Sequence, residues 1–271
     1  MLFDLTHPLV MGILNVTPDS FSDGGQYSAL DDALRQAEKM VSDGADILDI
    51  GGESTRPGAQ SVEASEEIDR TVPVIEAVRA RFDIPISLDT SKPAVMRAGV
   101  GAGASMINDV NALRAPEALP TAAELDVPVC LMHMRGEPRT MQNDPRYVDV
   151  VTEVRDFLLE RADRCLQAGI LRERILIDPG FGFGKSLQHN LLLLKHLDML
   201  VDTGYPVLVG ISRKSMIGML TGRKVQDRLA GSLAAAMLAL EGGGSILRVH
   251  DVAETVDLVK VWEGVRFVAP S

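Results

Sequence analysis

Short runs of apolar residues recur along the chain and alternate with stretches of helical spacing. The runs are rich in Val, Ile and Leu, and continuous runs of this kind are typical of parallel strands that are buried on both faces. They lie at 9–14, 46–50, 85–88, 104–107, 127–132, 174–177, 206–211 and 245–249. The helical stretches lie at 28–43, 62–81, 92–101, 115–125, 147–168, 187–202, 227–241 and 252–263. The pattern predicts eight strands that alternate with eight helices.

This alternation predicts an α/β fold with a single domain over residues 1–271, a (β/α)8 TIM barrel, for which about 250 residues is the usual size. No Pro/Gly/Ser-rich linker and no block of charge interrupts it. A doubly wound open sheet is the alternative, but that fold usually has a glycine fingerprint after its first strand. This chain has Asn15-Val16-Thr17-Pro18 there. Pro73 lies inside the second helical stretch and predicts a bend or break, because proline removes a backbone donor.

Composition and charge restrict the partners of the chain. Of its 271 residues 46% are hydrophobic and 24% charged, and the net charge is −11. This balance argues against nucleic acid or an anionic membrane surface as a partner, and an anionic substrate would need a local cluster of cations. The longest apolar run, 233–240, is far shorter than the roughly 20 residues that span a bilayer. Cys130 and Cys165 are isolated and predicted to be reduced core thiols, so we expect a cytoplasmic protein.

Polar residues follow nearly every predicted strand. In a (β/α)8 barrel the carboxyl ends of the strands meet on one face, and the active site lies there. In chain order the polar residues at these ends are Asn15, Asp49 with Glu53-Ser54-Thr55-Arg56, Asp89, Asn108-Asp109, His133, Asp178, Ser212-Arg213-Lys214, and Arg248 with His250. Any one of them could be a helix cap. Eight together predict an active site on this face.

The polar strand ends divide into two chemical groups. Asp89, Asn108 and Asp178 on the middle strands suit a flat heterocycle with ring N–H and amino groups, because a carboxylate accepts two parallel donors in one plane. The cationic residues of the last two strands are Lys214, Arg248 and His250. The loops after strands 7 and 8 form the usual phosphate site of this fold. The sequence therefore predicts a phosphorylated or pyrophosphorylated substrate.

Two local motifs do not carry the function that they first suggest. Residues 179–186, PGFGFGKS, end like a P-loop, but the GxxxxGK spacing would require glycine where Pro179 stands. We interpret them as a mobile or tightly turned loop that presents Phe181 and Phe183 to the site. His133 has no second histidine at a metal-binding spacing, so we expect a packed or supporting group rather than a metal ligand.

Eight segments carry most of the glycine, charged and polar positions discussed so far. They are MGILNVTPDSFSDGG (11–25), DIGGESTRPGA (49–59), SLDTSKP (87–93), INDV (107–110), LMHMRGEPRTMQ (131–142), ILIDPGFGFGKS (175–186), GISRKSMIG (210–218) and LRVHDV (247–252). In this order, and over essentially the full length, they resemble the dihydropteroate synthase family. The resemblance implies condensation of 6-hydroxymethyl-7,8-dihydropterin pyrophosphate with 4-aminobenzoate, giving 7,8-dihydropteroate and pyrophosphate, with Mg²⁺.

The resemblance also implies a role for individual residues. Pterin pyrophosphate binding would fall to Thr55, Asp89, Asn108, Asp178, Lys214, Arg248 and His250. Aminobenzoate binding would fall to Phe21, Arg56, Pro57, Phe183 and Ser212. The catalytic residues would be Asp19, Lys214, Arg248 and His250, and the Mg²⁺ ligand would be Asn15.

The implied reaction is a dissociative substitution, in which pyrophosphate leaves first and the aromatic amine then attacks a delocalised cation. Cations near the leaving group would stabilise its charge. The long first loop, with Asp19 and Phe21, would close over the reacting cation, while Asp49 and Glu53 would orient the second loop. A homodimer is expected from the resemblance.

Two alternatives share part of this pattern. A pterin-binding methyltransferase domain would explain Asp89, Asn108 and Asp178, but it would leave the cationic pair Arg248 and His250 without a purpose. A non-catalytic paralogue predicts damage in the loops or the anion pocket, and the segments above show none.

Overall fold

The computed structural model describes residues 3–17, 26–54, 61–136, 141 and 145–268, and eight strands run through them. The strands are β1 (Leu9–Asn15), β2 (Ile47–Gly51), β3 (Ile86–Asp89), β4 (Met106–Asp109), β5 (Val129–Met132), β6 (Ile175–Asp178), β7 (Leu208–Val209) and β8 (Ile246–Val249). They pair in parallel in the order β6-β5-β4-β3-β2-β1-β8-β7. A parallel bridge between Ile177 and Val207 brings the two outer strands together. The predicted (β/α)8 barrel is confirmed.

Helices follow the strands around the outside of the barrel. They are α1 (Gln26–Ser42), α2 (Ala64–Arg79), α3 (Pro93–Gly101), α4 (Ala118–Leu125), α5 (Val150–Gln167), α6 (Leu187–Lys195), α7 (Asp198–Val201), α8 (Ser215–Thr221), α9 (Leu229–Glu241) and α10 (Val252–Arg266). The single helix predicted over 187–202 is two helices, and α8 was not predicted because seven residues are too few to show an amphipathic period. None of the described helices has the length and apolar character needed to cross a bilayer.

Of the bend or break predicted at Pro73, the break does not occur, because α2 continues through this residue from Ala64 to Arg79. Pro73 is exposed, and so is Asp69, whose carbonyl would have accepted the missing N–H bond. Water can solvate an unpaired carbonyl on the outer side of a helix, so the position tolerates proline.

Five of the described strands, β1, β2, β3, β4 and β6, reach one or two residues beyond the apolar runs that predict them. Asn15, Asp89, Asp109 and Asp178 are the last residues of their strands rather than the first residues of loops. Because side chains alternate between the two faces of a strand, each of these polar side chains points either into the barrel or towards the surrounding helices.

The lower half of the barrel interior is apolar. We call this cluster the amino-end interior, and its buried members are Phe3, Leu9, Met11, Ile47, Met106, Cys130, Leu176, Leu208 and Ile246. A larger apolar layer, which includes Leu48, Leu88 and Leu131, fills the space between the barrel and its helices. Cys130 and Cys165 are free and buried, as predicted.

Candidate active site at the carboxyl end of the barrel

The upper half of the barrel interior is polar. We call it the carboxyl-end interior, and its members are Asp49, Asp89, Asn108, Asp178 and Arg248. The alternation of strand side chains explains its position, since Asp49 follows Ile47 by two residues and Asn108 follows Met106 by two. The same strands therefore bury apolar groups at one end and present charged groups at the other.

Arg248 on β8 is the centre of this layer. Its Nε donates to Oδ2 of Asp49 at 2.6 Å, and its Nη2 donates to Oδ2 of Asp89 at 2.8 Å. Burial acts against the charged form of Arg248, but the two carboxylates together raise its pKa above the usual range. Burial also raises the pKa of Asp89 to about 7, although Arg248 acts in the opposite direction. The guanidinium of β8 is thus held by carboxylates of β2 and β3, although β1 lies between β8 and these two strands in the sheet.

Asp49 has a role that the sequence did not indicate. Its carboxylate is fully buried and also accepts from Nδ2 of Asn108, at 3.3 Å to Oδ2. Asp49 therefore holds two predicted substrate-binding side chains. Residues 55–60 of the second loop lie outside the described residues, so the expectation that Asp49 orients this loop stays a prediction. It lies inside a predicted strand, and only the barrel brings Arg248, 199 positions later, into contact with it.

Glu53, by contrast, lies where it can orient the second loop. Its Oε1 accepts from the backbone N–H of Val62 at 3.3 Å, and its Oε2 pairs with Nζ of Lys92. Lys92 also pairs with the buried carboxylate of Glu67 on α2. These contacts join the end of β2 to the chain that leads into α2.

Asp178, the last residue of β6, is 5% exposed and lies at the carboxyl end of the barrel interior. Its Oδ1 accepts from the backbone N–H of Gly180 at 2.7 Å, which fixes the plane of the carboxylate. Burial raises the pKa of Asp178, while the Gly180 hydrogen bond and the charges of Lys214 and Arg248 lower it. Its carboxylate can accept two parallel donors from a planar ligand.

Lys214 lies beside this carboxylate, at the beginning of α8. Its Nζ is 4.1 Å from the centroid of the Phe183 ring, so the ammonium stacks on an aromatic face. Burial lowers the pKa of Lys214 to about 8, although Asp178 acts to raise it. The structure brings Asp178, Lys214 and Phe183 together, as the resemblance implied.

Ser212 and His250 form a second contact on the same face. Ser212 is 5% exposed, and its Oγ lies 3.2 Å from the backbone nitrogen of His250 and 3.1 Å from Nδ1 of that ring. The end of β7 is thereby fixed to the end of β8, next to the amino terminus of α10. This places a hydroxyl and an imidazole where the sequence predicts the anionic parts of the substrates.

Five predicted site residues lie outside the described residues. They are Asp19, Phe21, Thr55, Arg56 and Pro57. Their assignments stay predictions.

Asn15 ends β1 and pairs in register with Gly51 of β2. Its side-chain amide can offer one neutral oxygen, which suits a hard cation such as Mg²⁺ that keeps waters and phosphate oxygens as its other ligands. Among the residues that the structure describes, no group of three or more His, Cys, Asp and Glu side chains could hold a metal. The donor set fits an ion that arrives with an oxygen-rich substrate rather than a cage made of protein groups alone.

The fold and the site together define a (β/α)8-barrel enzyme with buried charged and polar side chains at the carboxyl ends of its strands. A family model described as "Pterin binding enzyme" matches residues 11–250. The dihydropteroate synthase of Haemophilus influenzae is 56% identical over 260 residues, which cover 96% of this chain and 94% of that protein.

Two solved structures agree with this match. The dihydropteroate synthase of Xanthomonas albilineans with 4-aminobenzoic acid is 54% identical, with a TM-score of 0.94, and covers 98% of this chain and 96% of its own. The same enzyme in complex with 7,8-dihydropteroate has a TM-score of 0.91 at 51% identity, and the match covers 98% of this chain and 97% of the other. The chain belongs to the dihydropteroate synthase family of pterin-binding enzymes.

Proposed function

We propose that the protein condenses 6-hydroxymethyl-7,8-dihydropterin pyrophosphate with 4-aminobenzoate to give 7,8-dihydropteroate and pyrophosphate. The observation that carries this proposal is the carboxyl-end interior, in which an oriented carboxylate, an amide and a fixed guanidinium lie at the same end of the barrel. The full-length similarity to synthases, including one that is solved with 4-aminobenzoic acid and with 7,8-dihydropteroate, supports it.

The pterin ring would lie across the bottom of the cleft. Asp178 would accept two N–H groups from the edge of the ring that carries the amino group, because Gly180 orients its carboxylate. Asn108 and Asp89 would pair with the remaining polar edge, and Nζ of Lys214 would donate to a ring acceptor. Each of these side chains comes from a different strand end, so the cleft recognises the shape of the ring as well as its hydrogen bonds.

The leaving group would face Arg248 and His250. In a dissociative substitution the bond between the methylene carbon and the pyrophosphate oxygen breaks first, and the electron pair leaves with pyrophosphate. The amine of 4-aminobenzoate then forms the carbon–nitrogen bond and releases a proton. Asp49 and Asp89 keep Arg248 charged and in place, so its positive charge is present before the leaving group develops its own.

4-Aminobenzoate would occupy a slot lined by Phe183 and the stem of Lys214, with its carboxylate near Ser212. Asn15 would hold Mg²⁺ together with the pyrophosphate. When bound, the ion would neutralise negative charge on the leaving group. Product formation should therefore stop when a chelator removes the metal and resume when Mg²⁺ is returned.

A homodimer is part of the proposal. Apolar side chains on the outside of the last three helices and after α10 are largely exposed, and a second copy would cover them. They are Met219, Leu220, Leu238, Val261, Val265, Phe267 and Val268. Sedimentation should give about twice the mass of the chain. We also propose a cytoplasmic location, where free thiols such as Cys130 and Cys165 stay reduced.

The reaction can be tested with the purified protein, dihydropterin pyrophosphate, 4-aminobenzoate and Mg²⁺, with chromatographic detection of dihydropteroate. We expect product only when both substrates are present. The Asp178→Asn variant, purified in the same way, controls for a contaminating synthase. Binding of the pterin without any product would indicate a non-catalytic paralogue and would contradict the proposal.

A further inference from the structure

Lys185 is a buried lysine that no step of the proposed reaction uses. It is 3% exposed, and its Nζ lies below the loop of residues 179–186 that joins β6 to α6. Nζ donates to the carbonyl oxygens of Gly180 at 2.9 Å, of Phe183 at 3.0 Å and of His133 at 3.3 Å, and it lies 2.9 Å from Nδ1 of His133. Burying an amino group without partners is unfavourable, so these four contacts explain why it can lie there.

The loop is tightly turned, because three of its alternate residues are glycines with positive φ. A Cβ on Gly180 would lie 1.9 Å from the carbonyl oxygen of His133, and one on Gly184 would lie 2.2 Å from that of Arg135. No other amino acid fits at either position without moving the backbone. The loop therefore packs directly on the segment that follows β5, and the expectation that it presents Phe181 is wrong, since Phe181 is 1% exposed in the core.

Lys185 connects the 179–186 loop to the predicted pterin site at Asp178 and to the predicted aminobenzoate slot at Phe183. The carbonyl oxygen of Gly180 accepts from Nζ of Lys185, and the backbone N–H of Gly180 donates to Asp178. The carbonyl of Phe183 accepts from the same Nζ, and the Phe183 ring supports the ammonium of Lys214. One buried amino group thus fixes two backbone positions, each of which holds a predicted substrate-binding side chain.

His133, the residue directly after β5, provides a fixed hydrogen-bond partner for Lys185. Its ring is 4% exposed and contacts Phe157 edge-on, with 4.9 Å between the ring centroids. Burial and the charges of Lys185 and Arg135 lower the pKa of His133 to about 2, so the ring is neutral and Nδ1 can accept a hydrogen bond. Burial lowers the pKa of Lys185 well below its usual value, and with this bond every hydrogen of its amino group has an acceptor.

We propose that Lys185 is a positioning residue, which with His133 as its acceptor holds the 179–186 loop in the conformation that places Phe183 against Lys214. The proposal rests on the proposed function for its substrates. Asp178 lies on a strand that pairs with β5, so it keeps most of its position without Lys185. Phe183 lies on the loop itself, so the aminobenzoate slot depends on Lys185 more than the pterin site does.

The test is Lys185→Met, which keeps the length of the apolar stem and removes the donors. We expect the KM for 4-aminobenzoate to rise about tenfold or more, and the KM for dihydropterin pyrophosphate to change by less than about threefold. Backbone amide exchange of 179–186 in the free protein should become about tenfold faster. Val78→Ala in α2, a buried position far from the loop, controls for a general loss of stability.

A second pair of variants keeps the test decisive if Lys185→Met does not fold. His133→Leu removes the ring acceptor and leaves only the backbone carbonyl of residue 133, so it should raise the aminobenzoate KM. His133→Asn keeps an oxygen near the position of Nδ1 and should restore it. Faster exchange with unchanged KM values would overturn the positioning role. So would equal rises in both KM values, or His133→Leu and His133→Asn behaving alike. If the wild type makes no dihydropteroate, the proposed function fails, and the exchange data still show whether Lys185 holds the loop.

Discussion

The two ends of the barrel interior come from the same strands and have opposite chemistry. The amino-end interior packs apolar side chains such as Met11 and Met106 without any charged group among its members. The carboxyl-end interior places one arginine among buried carboxylates and an amide. Strand alternation points both sets of side chains into the barrel, and their position along the strand separates the apolar end that stabilises the fold from the polar end.

The carboxyl-end interior also lowers the stability of the fold unless each buried charge has a partner of opposite sign. A buried charge without a partner is strongly unfavourable, whereas a complete pair is close to neutral. Asp49 and Asp89 therefore need Arg248 in the free protein as much as the leaving group needs it in the reaction. The two ends should respond to mutation in different ways.

The largest effect is expected for Arg248→Met, which leaves Asp49 and Asp89 facing each other without a cation. The free energy of unfolding should fall by about 3–5 kcal/mol, and product formation should be lost. Urea unfolding and the product assay measure the two effects. Adding Asp49→Asn and Asp89→Asn to this variant should recover most of the stability without the activity, and a triple variant no more stable than the single one would contradict the pairing.

Met106→Ala tests the apolar end. The cavity that it leaves in the amino-end interior should lower the free energy of unfolding by about 2–5 kcal/mol. Both KM values should stay within about twofold of the wild type, since Asn108 two residues later is held by Asp49. A large change in either KM would show that the two ends are not independent.

Lys214→Met should have the smallest effect on stability, visible mainly in its pH dependence. The folded-state pKa of Lys214 is about 8, below its usual value of 10.5. Between these two pH values the unfolded chain binds more protons than the folded one, so this lysine makes the wild type more stable as pH rises. The variant should lose that rise. Urea unfolding at several pH values between 8 and 10.5 measures it, and an unchanged slope would contradict the low pKa.

Much of the fold follows from local pattern. The runs of Val, Ile and Leu predict all eight strands, because strands that are buried on both faces have no polar side. The polar face can be predicted as well, because charged residues such as Asp89 and Asp178 directly follow the apolar runs 85–88 and 174–177. Short elements such as α8 are missed, because seven residues contain too little periodicity.

The contacts within the site depend on the closed barrel and could not be predicted from spacing. Asp49 and Arg248 are 199 positions apart, and Lys185 and His133 are 52 apart. Neither pair lies within a short sequence motif. Lys185 belongs to residues 179–186, whose sequence resembles a P-loop and so does not indicate its contact with His133. Only the sheet order, which places β8 near β2 and β6 next to β5, shows which charges meet.

The most direct test of the central claim, that the carboxyl-end interior recognises the pterin, is calorimetric binding of dihydropterin pyrophosphate to the wild type and to Asp178→Asn. Loss of a charged acceptor for two N–H groups should weaken binding about 10- to 100-fold. Asp227→Asn, on the exposed turn before α9, is the matched control and should bind as the wild type does. Wild-type affinity in Asp178→Asn would show that the pterin binds elsewhere, and the assignment of this cleft would be wrong.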